Sequence, residues 1–407
     1  MQKIIPRIIL KILKKTAKHF PVLMVTGPRQ IGKTTLLALA AKKTMRYVSL
    51  DSLQTRILAQ QEPELFLEKY PPPVIIDEVQ YAPELFPYIK ISVDTSRKNG
   101  QFWLTGSQQF HLMKNVTESL AGRVGILPML GLSNAEHEER ELPPFIPTKT
   151  WLKSAEKSPK PMSTSQYYQR IWRGSFPALA LNPSNSWDVF YHSYIETYIE
   201  RDVQALANVV QKTSFLKFLR AAAVRTGQLL NFADLARDAD IDFKTAKSWL
   251  SILEASGLIY LLPSYHNNQS KRLVKTPKLY FLDTGLVCYL AEWSSAKTLE
   301  AGAMSGAILE TFLFAEIIKS YLNQGKQGRF YFYRDKNLKE IDLLIERDGK
   351  LHPIEFKKTS NPHASMLAHA ENIAHKNIQI GEGAIICFVK DQIPLAKNIT
   401  AIPVWFL

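Results

Sequence analysis

The chain has 407 residues, of which 46% are hydrophobic, so it has room for several domains and at least one large core. No apolar run approaches the roughly 18 residues of a helical membrane span, which excludes that class of protein. The formal net charge of +14 favours an anionic partner, nucleic acid first and an acidic membrane second. Cys288 and Cys387 are too few and too scattered for a disulfide framework or a zinc site. We therefore expect both in a core, in a reducing cytoplasm.

The first 20 residues, MQKIIPRIILKILKKTAKHF, predict a basic amphipathic helix without an acidic residue. Such a helix can lie on a membrane or contact DNA phosphates. We favour a helix packed on the domain that follows, with its charged face in solvent. A signal peptide is not indicated, because Lys11 interrupts the apolar run and no small-residue cleavage site follows. The basic residues are Lys3, Arg7, Lys11, Lys14, Lys15 and Lys18.

A glycine-rich stretch, GPRQIGKTT at 27–35, follows the apolar run PVLMVT and leads into LLALAAKKT. This order predicts a strand, a loop and a helix with the G-x-x-x-x-G-K-T spacing of a phosphate-binding loop. Its glycines let backbone N–H groups surround phosphate oxygens at the positive end of the helix. We expect Lys33 to reach the β and γ phosphates of ATP and Thr34 to ligate Mg²⁺. The predicted nucleotide-binding residues are Gly27, Gly32, Lys33, Thr34, Thr35 and, from the next motif, Asp77.

The second half of this site lies in PPPVIIDEVQ, where an apolar run ends in Asp77 and Glu78. The run predicts a buried parallel strand that delivers carboxylates at its C-terminal end, where open α/β sheets bind ligands. Asp77 would hold hydrated Mg²⁺, and Glu78 would polarise the attacking water. Paired acids after a strand can be simple surface caps. Together with the glycine-rich loop they favour hydrolysis over passive binding.

Further stretches complete the predicted sheet. MRYVSLDS predicts a strand ending at Asp51, and YAPELFPYIKISVDTSRKNG predicts an amphipathic helix before the strand QFWLTGSQ. A polar residue that ends a strand between the loop strand and the acid strand can sense the γ-phosphate. Thr105 and Ser107 are the candidates, with Gln108 as a possible helper of Ser107, and a strand-ending turn is the alternative.

Arg123, in SLAGRV, lies between a predicted helix and a predicted strand. Ring ATPases commonly supply such an arginine to the γ-phosphate of the neighbouring subunit. A structural salt bridge is the alternative interpretation. The candidate catalytic residues are Lys33, Glu78, Ser107 and Arg123.

The motifs GPRQIGKTT, LDSLQTR, VIIDEVQ, LTGSQ and SLAGRV together resemble bacterial and archaeal AAA-type ATPases with an uncharacterised C-terminal domain. The similarity continues through WRGSFPA, YIETYIERDV, RTGQLLN, KTPKLYFLDTGL and IEFKKT, and so covers nearly the whole chain. It implies an α/β fold: a P-loop NTPase parallel sheet, then a helical and winged-helix domain, then a restriction-endonuclease-like α/β domain. We place the boundaries at 21–140 for the ATPase domain, 141–165 for a proline-rich linker or loop-rich insertion, 166–300 and 301–407.

The middle domain contains two recognisable parts. SWDVFYHSYIETYIERDVQAL predicts a helix whose aromatic stripe belongs to the core. Residues 231–262 predict two helices joined by a short turn, capped by Asn231 and Asp242, and then a strand. In a helix-turn-helix the second helix meets DNA, and the basic stretch HNNQSKRLVKTPK would be a wing on the DNA backbone. A protein-interaction module is the alternative, but the positive charge favours DNA. The predicted contacts are Lys244, Thr245, Lys247 and Ser248 on the helix and Lys271, Arg272, Lys275 and Lys278 on the wing.

The last hundred residues predict a helix, GAILETFLFAEIIKSYL, and two strands around a turn at 347–350. Asp342 on one strand and Glu355 and Lys357 on the next resemble the catalytic hairpin of PD-(D/E)-x-K nucleases. Period-two geometry puts Glu355 and Lys357 on one face. Asp342 and Glu355 would bind Mg²⁺, Glu310 would complete that shell, and Lys357 would position the attacking water. The same fold without turnover is the alternative.

The leading hypothesis is an ATP-hydrolysing enzyme that couples turnover to DNA binding or remodelling as a homo-oligomer, in a ring if Arg123 acts in trans. Two other classes stay open. One is a nucleotide-controlled switch or scaffold whose later domains bind proteins. The other is an Mg²⁺-dependent nuclease licensed by ATP.

Overall fold

The computed structural model describes residues 4–106, 116, 119–157, 161–198, 212–265, 276–335, 337–373 and 379–407. The fold is mixed α/β, with an N-terminal parallel sheet, a largely helical middle part and a C-terminal sheet. One hydrophobic cluster extends through all three parts, so they pack directly on one another. Among the helices in these ranges, none combines the length and the hydropathy that crossing a bilayer requires.

The N-terminal part is a five-stranded parallel sheet with the strand order β2-β3-β4-β1-β5. Strands β1, β3 and β4 are buried along their whole length, as their continuous apolar sequences predict. The strand β2 ends at Ser49, two residues before the predicted Asp51. The elements are α1 (Ile9–His19), β1 (Val22–Thr26), α2 (Lys33–Ala40), β2 (Arg46–Ser49), α3 (Leu53–Gln61), α4 (Pro63–Lys69), β3 (Val74–Asp77), α5 (Leu85–Ser96), β4 (Phe102–Gly106), β5 (Val124–Pro128) and α6 (Asn134–His137).

The basic N-terminal helix packs on this sheet. Helix α1 begins at Ile9 and contacts α2, β1 and β5, with Ile9 and Leu13 buried. Lys11, Lys14, Lys15 and Lys18 are exposed, so the favoured interpretation of a packed helix with a solvated basic face is confirmed. Arg7 was wrongly grouped with those lysines. It precedes the helix and is buried, because its guanidinium pairs with Glu136 at 2.9 Å.

Within 141–165, which was predicted as a linker or a loop-rich insertion, residues 142–155 pack on the rest of the protein. Phe145, Trp151 and Leu152 are buried, and the Tyr321 hydroxyl donates to the Phe145 carbonyl at 2.9 Å. These apolar residues between the prolines give the segment its own contact with the C-terminal part. The elements from here through the middle part are α7 (Lys149–Ala155), α8 (Thr164–Arg173), α9 (Pro177–Ala180), α10 (Trp187–Tyr198), α11 (Lys212–Ala223), β6 (Gln228–Leu229), α12 (Phe232–Asp238), α13 (Phe243–Ala255), β7 (Ile259–Leu262), β8 (Lys278–Phe281), α14 (Thr284–Leu290) and α15 (Ala296–Ala301).

The two helices predicted for 231–262 are α12 and α13. The Asn231 side chain accepts from two backbone N–H groups of the first helix, and Asp242 does the same for the second, so both predicted caps are confirmed. Trp249 and Leu250 are buried in the small core, also as predicted. Strand β8 lies between β6 and β7 in an antiparallel sheet beside these helices. The aromatic stripe of α10 is buried as well.

The C-terminal part places one long helix against a mixed sheet with the order β14-β15-β13-β11-β10-β9, to which β12 adds beside β11. Strands β10 and β11 form the predicted antiparallel hairpin, in which Arg347 pairs with Lys350 across the turn. Cys288 and Cys387 are buried, as expected of core residues. The elements are α16 (Ser305–Leu322), β9 (Arg329–Arg334), β10 (Glu340–Arg347), β11 (Lys350–Phe356), β12 (Gln379–Ile380), β13 (Gly383–Cys387), β14 (Ile393–Ala396) and β15 (Ile399–Pro403).

Candidate functional site

The glycine-rich loop connects β1 to α2 at the C-terminal edge of the parallel sheet. Gly27 has φ +140°, and a Cβ atom there would lie 2.0 Å from the Met129 carbonyl oxygen, so only glycine fits. Gly32 has φ +91° and directly precedes α2. Both conformations disfavour residues with a Cβ atom. The loop therefore has the backbone that the motif predicted.

Lys33 begins α2 and points its side chain back into the loop. Its ammonium donates to the carbonyl oxygens of Gly27 at 2.9 Å and Pro28 at 2.7 Å. The side chain is buried, with the residue 6% exposed. Phosphate oxygens offer the same kind of acceptor with more negative charge. Lys33 is thus placed for the phosphate contact that the sequence predicts.

Thr34 and Asp77, the two predicted Mg²⁺ ligands, are brought together. The Thr34 hydroxyl donates to both carboxylate oxygens of Asp77, at 3.0 and 3.1 Å. Asp77 ends β3 and is buried. A hydroxyl and a carboxylate beside a phosphate-binding loop are the oxygen ligands that Mg²⁺ prefers. These residues fit an Mg²⁺ ion bound together with ATP.

Two neighbouring strands support Asp77. The Tyr47 hydroxyl on β2 donates to Asp77 at 2.8 Å. Burial, and then the hydrogen bond to Asp77, raise the pKa of Tyr47 to about 12, so it stays a donor at neutral pH. Thr105 on β4 donates to the same carboxylate and accepts from the Glu78 N–H at 3.1 Å. No sequence signal marked Tyr47, because its role depends on which strand lies beside β3.

The strand order confirms that β4 separates the loop strand from the acid strand. Thr105 therefore occupies the position predicted for a phosphate-sensing residue. Ser107 and Gln108, the other candidates, lie outside the described residues.

Glu78 lines a cleft of about 600 Å³. It adopts the left-handed conformation with φ +57°, and the Gln80 side-chain amide donates to its carboxylate. One side of the cleft is formed by the glycine-rich loop and α2, including Thr35. The other side comes from the N-terminal segment and the middle part, through Ile4, Ile5, Pro177, Ala178, Leu181 and Thr197. The middle part thus contributes directly to this cleft.

Arg123 lies at the opposite edge of the sheet. Its carbonyl accepts from the Val22 N–H at the start of β1, whereas the glycine-rich loop follows the end of that strand. A five-residue strand is roughly 16 Å long, so Arg123 does not reach the loop of its own chain. Its guanidinium makes two contacts with Asp94, at 2.5 and 2.9 Å, which is the salt bridge weighed as the alternative.

The predicted DNA-binding residues divide into three groups. Lys244, Lys247 and Ser248 are exposed on α13, and Thr245 is half-buried with its hydroxyl donating to Asp242. Lys271, Arg272 and Lys275 lie outside the described residues. Lys278 was wrongly predicted as a wing contact, since it is buried in β8, at 2% exposure.

Lys278 instead joins the acidic residues of the C-terminal part. Its ammonium lies 2.5 Å from Glu340, 3.1 Å from Glu310 and 3.7 Å from Asp342. The Lys357 ammonium pairs with Glu355 at 2.6 Å. We call Glu310, Glu340, Asp342 and Glu355 the acid cluster. The structure thus brings together the residues that the nuclease resemblance named, and adds Lys278 and Glu340, which it did not.

Burial perturbs the protonation of this cluster. Burial raises the pKa of Glu355 to about 8, with the Asp342 carboxylate adding to the shift and Lys357 opposing it. Burial also raises the pKa of Glu310 to about 7 for similar reasons. For Lys278 burial acts to lower the pKa, but the surrounding carboxylates outweigh it and raise the pKa, so the ammonium stays charged.

The predicted metal ligands Glu310, Asp342 and Glu355 do not fit a divalent ion in this arrangement. Within the ranges described above, no three Asp, Glu, His or Cys side chains are placed to hold a metal ion. One oxygen of Asp342 faces Lys278 and the other accepts from the Phe356 N–H at 2.9 Å. A lysine ammonium therefore lies within 3.7 Å of Glu310 and Asp342, two of the three predicted metal ligands.

Comparison with known proteins supports the N-terminal site. An AAA domain model matches residues 19–138, and two domains of unknown function, DUF8612 and DUF4143, match residues 164–297 and 305–407. Uncharacterized proteins of Mycobacterium tuberculosis and Mycobacterium bovis are each 27% identical over 391 residues, covering 96% of this chain and 82% of theirs.

Solved structures are similar to parts of the chain. A Walker-type ATPase of Pyrococcus abyssi has a TM-score of 0.43 at 15% identity, covering 69% of this chain and 94% of its own. The RuvB Holliday junction branch migration motor of Thermotoga maritima has a TM-score of 0.31 at 16% identity, covering 62% and 87%. With the loop, Thr34 and Asp77 in place and the AAA domain model matching these residues, residues 19–138 form an AAA-type P-loop ATPase domain, and the C-terminal domain at 305–407 is uncharacterised.

Proposed function

We propose that this protein hydrolyses ATP in the cleft beside the glycine-rich loop and couples turnover to DNA binding or remodelling. The observation that carries the proposal is the meeting of Thr34 and Asp77 at 3.0 Å, next to the Lys33 ammonium. A loop that only turned the chain would not need a buried carboxylate at that point. The arrangement supports binding of a triphosphate together with Mg²⁺.

Each residue has a distinct task in this proposal. Mg²⁺ bound with ATP supplies neutralisation of the phosphate charge. Lys33 holds the β and γ phosphates, and Thr34 and Asp77 fix the hydrated ion. Glu78 lies at the cleft with its backbone held by Thr105, in a position to take a proton from the attacking water. Removal of such a base lowers turnover by a factor of about 10² to 10⁴.

The DNA half of the proposal is supported by α12 and α13. A short strand, two capped helices and two further antiparallel strands, with the last strand in the centre, follow the order of a winged helix. Lys244 and Lys247 are exposed near the start of the second helix, where recognition helices meet DNA. The net charge of +14 suits a phosphate backbone.

Contacts between the cleft and the middle part supply a route for coupling. Ala178 and Thr197 line the cleft from α9 and α10. The turn after α13 lies against the loop, since a Cβ atom at Gly257 would be 3.3 Å from the Pro28 ring. The helix proposed to meet DNA therefore ends against the loop proposed to bind ATP.

Assembly into a ring completes the proposal. Arg123 lies about one strand length from its own loop, so a catalytic role would require the site of a neighbouring subunit. It would then have to leave Asp94, with which it now pairs. The two buried free cysteines are compatible with a reducing cytoplasm, in which we place the protein.

ATP hydrolysis is tested first. We expect DNA-stimulated ATPase activity that Lys33→Ala and Glu78→Gln each lower at least about 100-fold. Glu78→Gln should still bind ATP, because the change leaves Lys33, Thr34 and Asp77 intact. Equal hydrolysis by the wild type and both variants would refute the site.

DNA binding is tested separately. Lys244→Glu with Lys247→Glu should weaken DNA binding and remove the stimulation while leaving basal hydrolysis unchanged. Two lost phosphate contacts should also lower the slope of log affinity against log salt by about 2. Lys390→Glu with Lys397→Glu makes the same charge change at exposed positions of the C-terminal part and serves as the control. ATPase activity without any response to DNA at low salt would favour the nucleotide-controlled switch instead.

A further inference from the structure

A lysine of the middle part, Lys278, contacts two of the three acids predicted to hold a metal, Glu310 and Asp342. We infer that the acid cluster is a binding site for the ammonium of Lys278, and that this lysine excludes a divalent ion for as long as β8 is docked on the C-terminal part. The inference is independent of ATP hydrolysis.

The geometry is that of a built cation site. Three carboxylates surround the Lys278 ammonium at 2.5 to 3.7 Å, and its side chain is 3% exposed. An ammonium group has three donors, so one ion can serve three carboxylates. Burying acids of this kind is costly without such a partner. Lys278 is therefore what makes this grouping of Glu310, Glu340 and Asp342 stable.

A second observation shows that the cluster still has capacity for a ligand. The Oε2 atom of Glu355 is buried without a hydrogen-bond partner, and that side chain is 8% exposed. Its other oxygen is held by Lys357 at 2.6 Å. An unpartnered carboxylate oxygen beside Asp342 is suited to a cation that the present arrangement keeps out.

Two further contacts hold the middle sheet on the C-terminal part, one from β8 and one from the chain that follows β7. Tyr280, two residues along β8 on the same face, donates to Glu310 at 2.5 Å. The chain after β7 hydrogen bonds with β9 of the C-terminal sheet, through Tyr265 N–H to Phe332 O at 2.7 Å and Phe332 N–H to Pro263 O at 3.1 Å. Opening the cluster to a metal therefore requires the middle sheet to move away from α16 and β10.

Charge makes the two occupants mutually exclusive. A divalent ion among these carboxylates would lie within a few ångströms of the ammonium, and such like charges repel strongly where water is scarce. Replacing Lys278 by methionine, a neutral chain of similar length, removes that repulsion and leaves Glu310, Asp342 and Glu355 for the ion.

The test measures Mn²⁺ binding to the nucleotide-free full-length protein by electron paramagnetic resonance of the free ion. Every protein carries Asp77→Asn, so that Mn²⁺ does not bind at the ATP site. With Lys278 present we expect no uptake at about 1 mM Mn²⁺. Lys278→Met should take up one ion, with an affinity at least about tenfold higher than that of the protein with Lys278. Adding Asp342→Asn should abolish that uptake, and Lys247→Met, which removes an exposed lysine, should behave like its parent.

A second variant covers the event that Lys278→Met alone does not fold. Lys278→Met with Glu340→Gln removes one charge of each sign and keeps all three predicted metal ligands, so it should also bind Mn²⁺. The inference is overturned if the folded variants bind no Mn²⁺. It is equally overturned if the protein with Lys278 binds as tightly as Lys278→Met and loses that binding on Asp342→Asn.

Discussion

Gly257 gives a direct test of the contact between α13 and the glycine-rich loop. It ends α13 in a left-handed conformation with φ +71°, where its N–H and that of Leu258 satisfy the last carbonyls of the helix. A Cβ atom there would lie 3.3 Å from Cδ of Pro28, slightly inside ordinary contact distance. Pro28 must give way by a few tenths of an ångström, and its carbonyl is one of the two that hold Lys33. Gly257→Ala should therefore disturb the site proposed for phosphate.

The backbone cost of this change can be separated from its effect on the site. A residue with a Cβ atom in the left-handed region costs roughly 1–2 kcal/mol. Gly349→Ala carries the same cost, since Gly349 has φ +74°, but its Cβ atom would meet nothing within 4 Å. We expect both variants to lose about 1–2 kcal/mol of stability in urea unfolding. Only Gly257→Ala should weaken ATP binding, by up to about tenfold, or roughly 1.4 kcal/mol, in calorimetric titrations. Equal ATP affinities for the two variants would refute the contact as a functional link.

Two further predictions concern buried charge. Arg7→Met removes the partner of Glu136 at 2.9 Å and should lower the free energy of unfolding in urea by about 3 kcal/mol. This is the lower end for a broken buried pair, because backbone N–H groups still donate to Glu136. Lys11→Met, at an exposed ion pair, should change stability little, and equal losses for the two variants would contradict this account. His352 contacts the Glu382 carbonyl at 2.9 Å, and burial lowers its pKa. Below about pH 6.5, the usual pKa of histidine, the unfolded chain therefore takes up a proton at this residue more readily than the folded chain does. The free energy of unfolding in urea should then fall as the pH drops from about 6.5 towards 5, and the fall should be smaller in His352→Gln. Identical pH profiles for the wild type and the variant would show that His352 does not cause the fall.

The nucleotide site could be predicted from sequence because each of its parts is local. The glycine spacing, the lysine and the threonine are contiguous, and the acids directly end an apolar strand. Parallel strands end at one edge of a sheet, so the loop that follows β1 and the acid that ends β3 are expected at the same edge. Tyr47 was missed because its contact with Asp77 depends on the strand order, which no short motif encodes.

Predictions failed where a side chain is defined by a distant partner. Lys278 belongs to a basic, proline-containing stretch, and the composition of that stretch predicts a surface residue. It is buried because three acidic side chains more than 30 positions later fold against it. Arg7 likewise sits among exposed lysines in the sequence, yet it pairs with Glu136, 129 residues away. A charged side chain is buried only with a partner, and here the partner is too far along the chain to belong to the same helical or strand pattern.

The small middle sheet lies between the glycine-rich loop and the acid cluster. Its strand β7 begins just after Gly257, which touches the glycine-rich loop, and pairs along its length with β8, where Leu262 is opposite Lys278. One hydrogen-bonded strand pair therefore separates Pro28 from the acid cluster. A closely packed strand pair transmits a displacement, so a movement of the glycine-rich loop on phosphate binding would also displace the sheet that holds Lys278 among the acids. Mn²⁺ uptake by the Lys278 protein should for this reason be measured with and without ATP, and counted as the difference from its Asp342→Asn counterpart, because ATP itself chelates Mn²⁺. In that comparison, uptake that appears only with ATP would place the two sites in one cycle, and identical uptake would show that the loop and the cluster act independently.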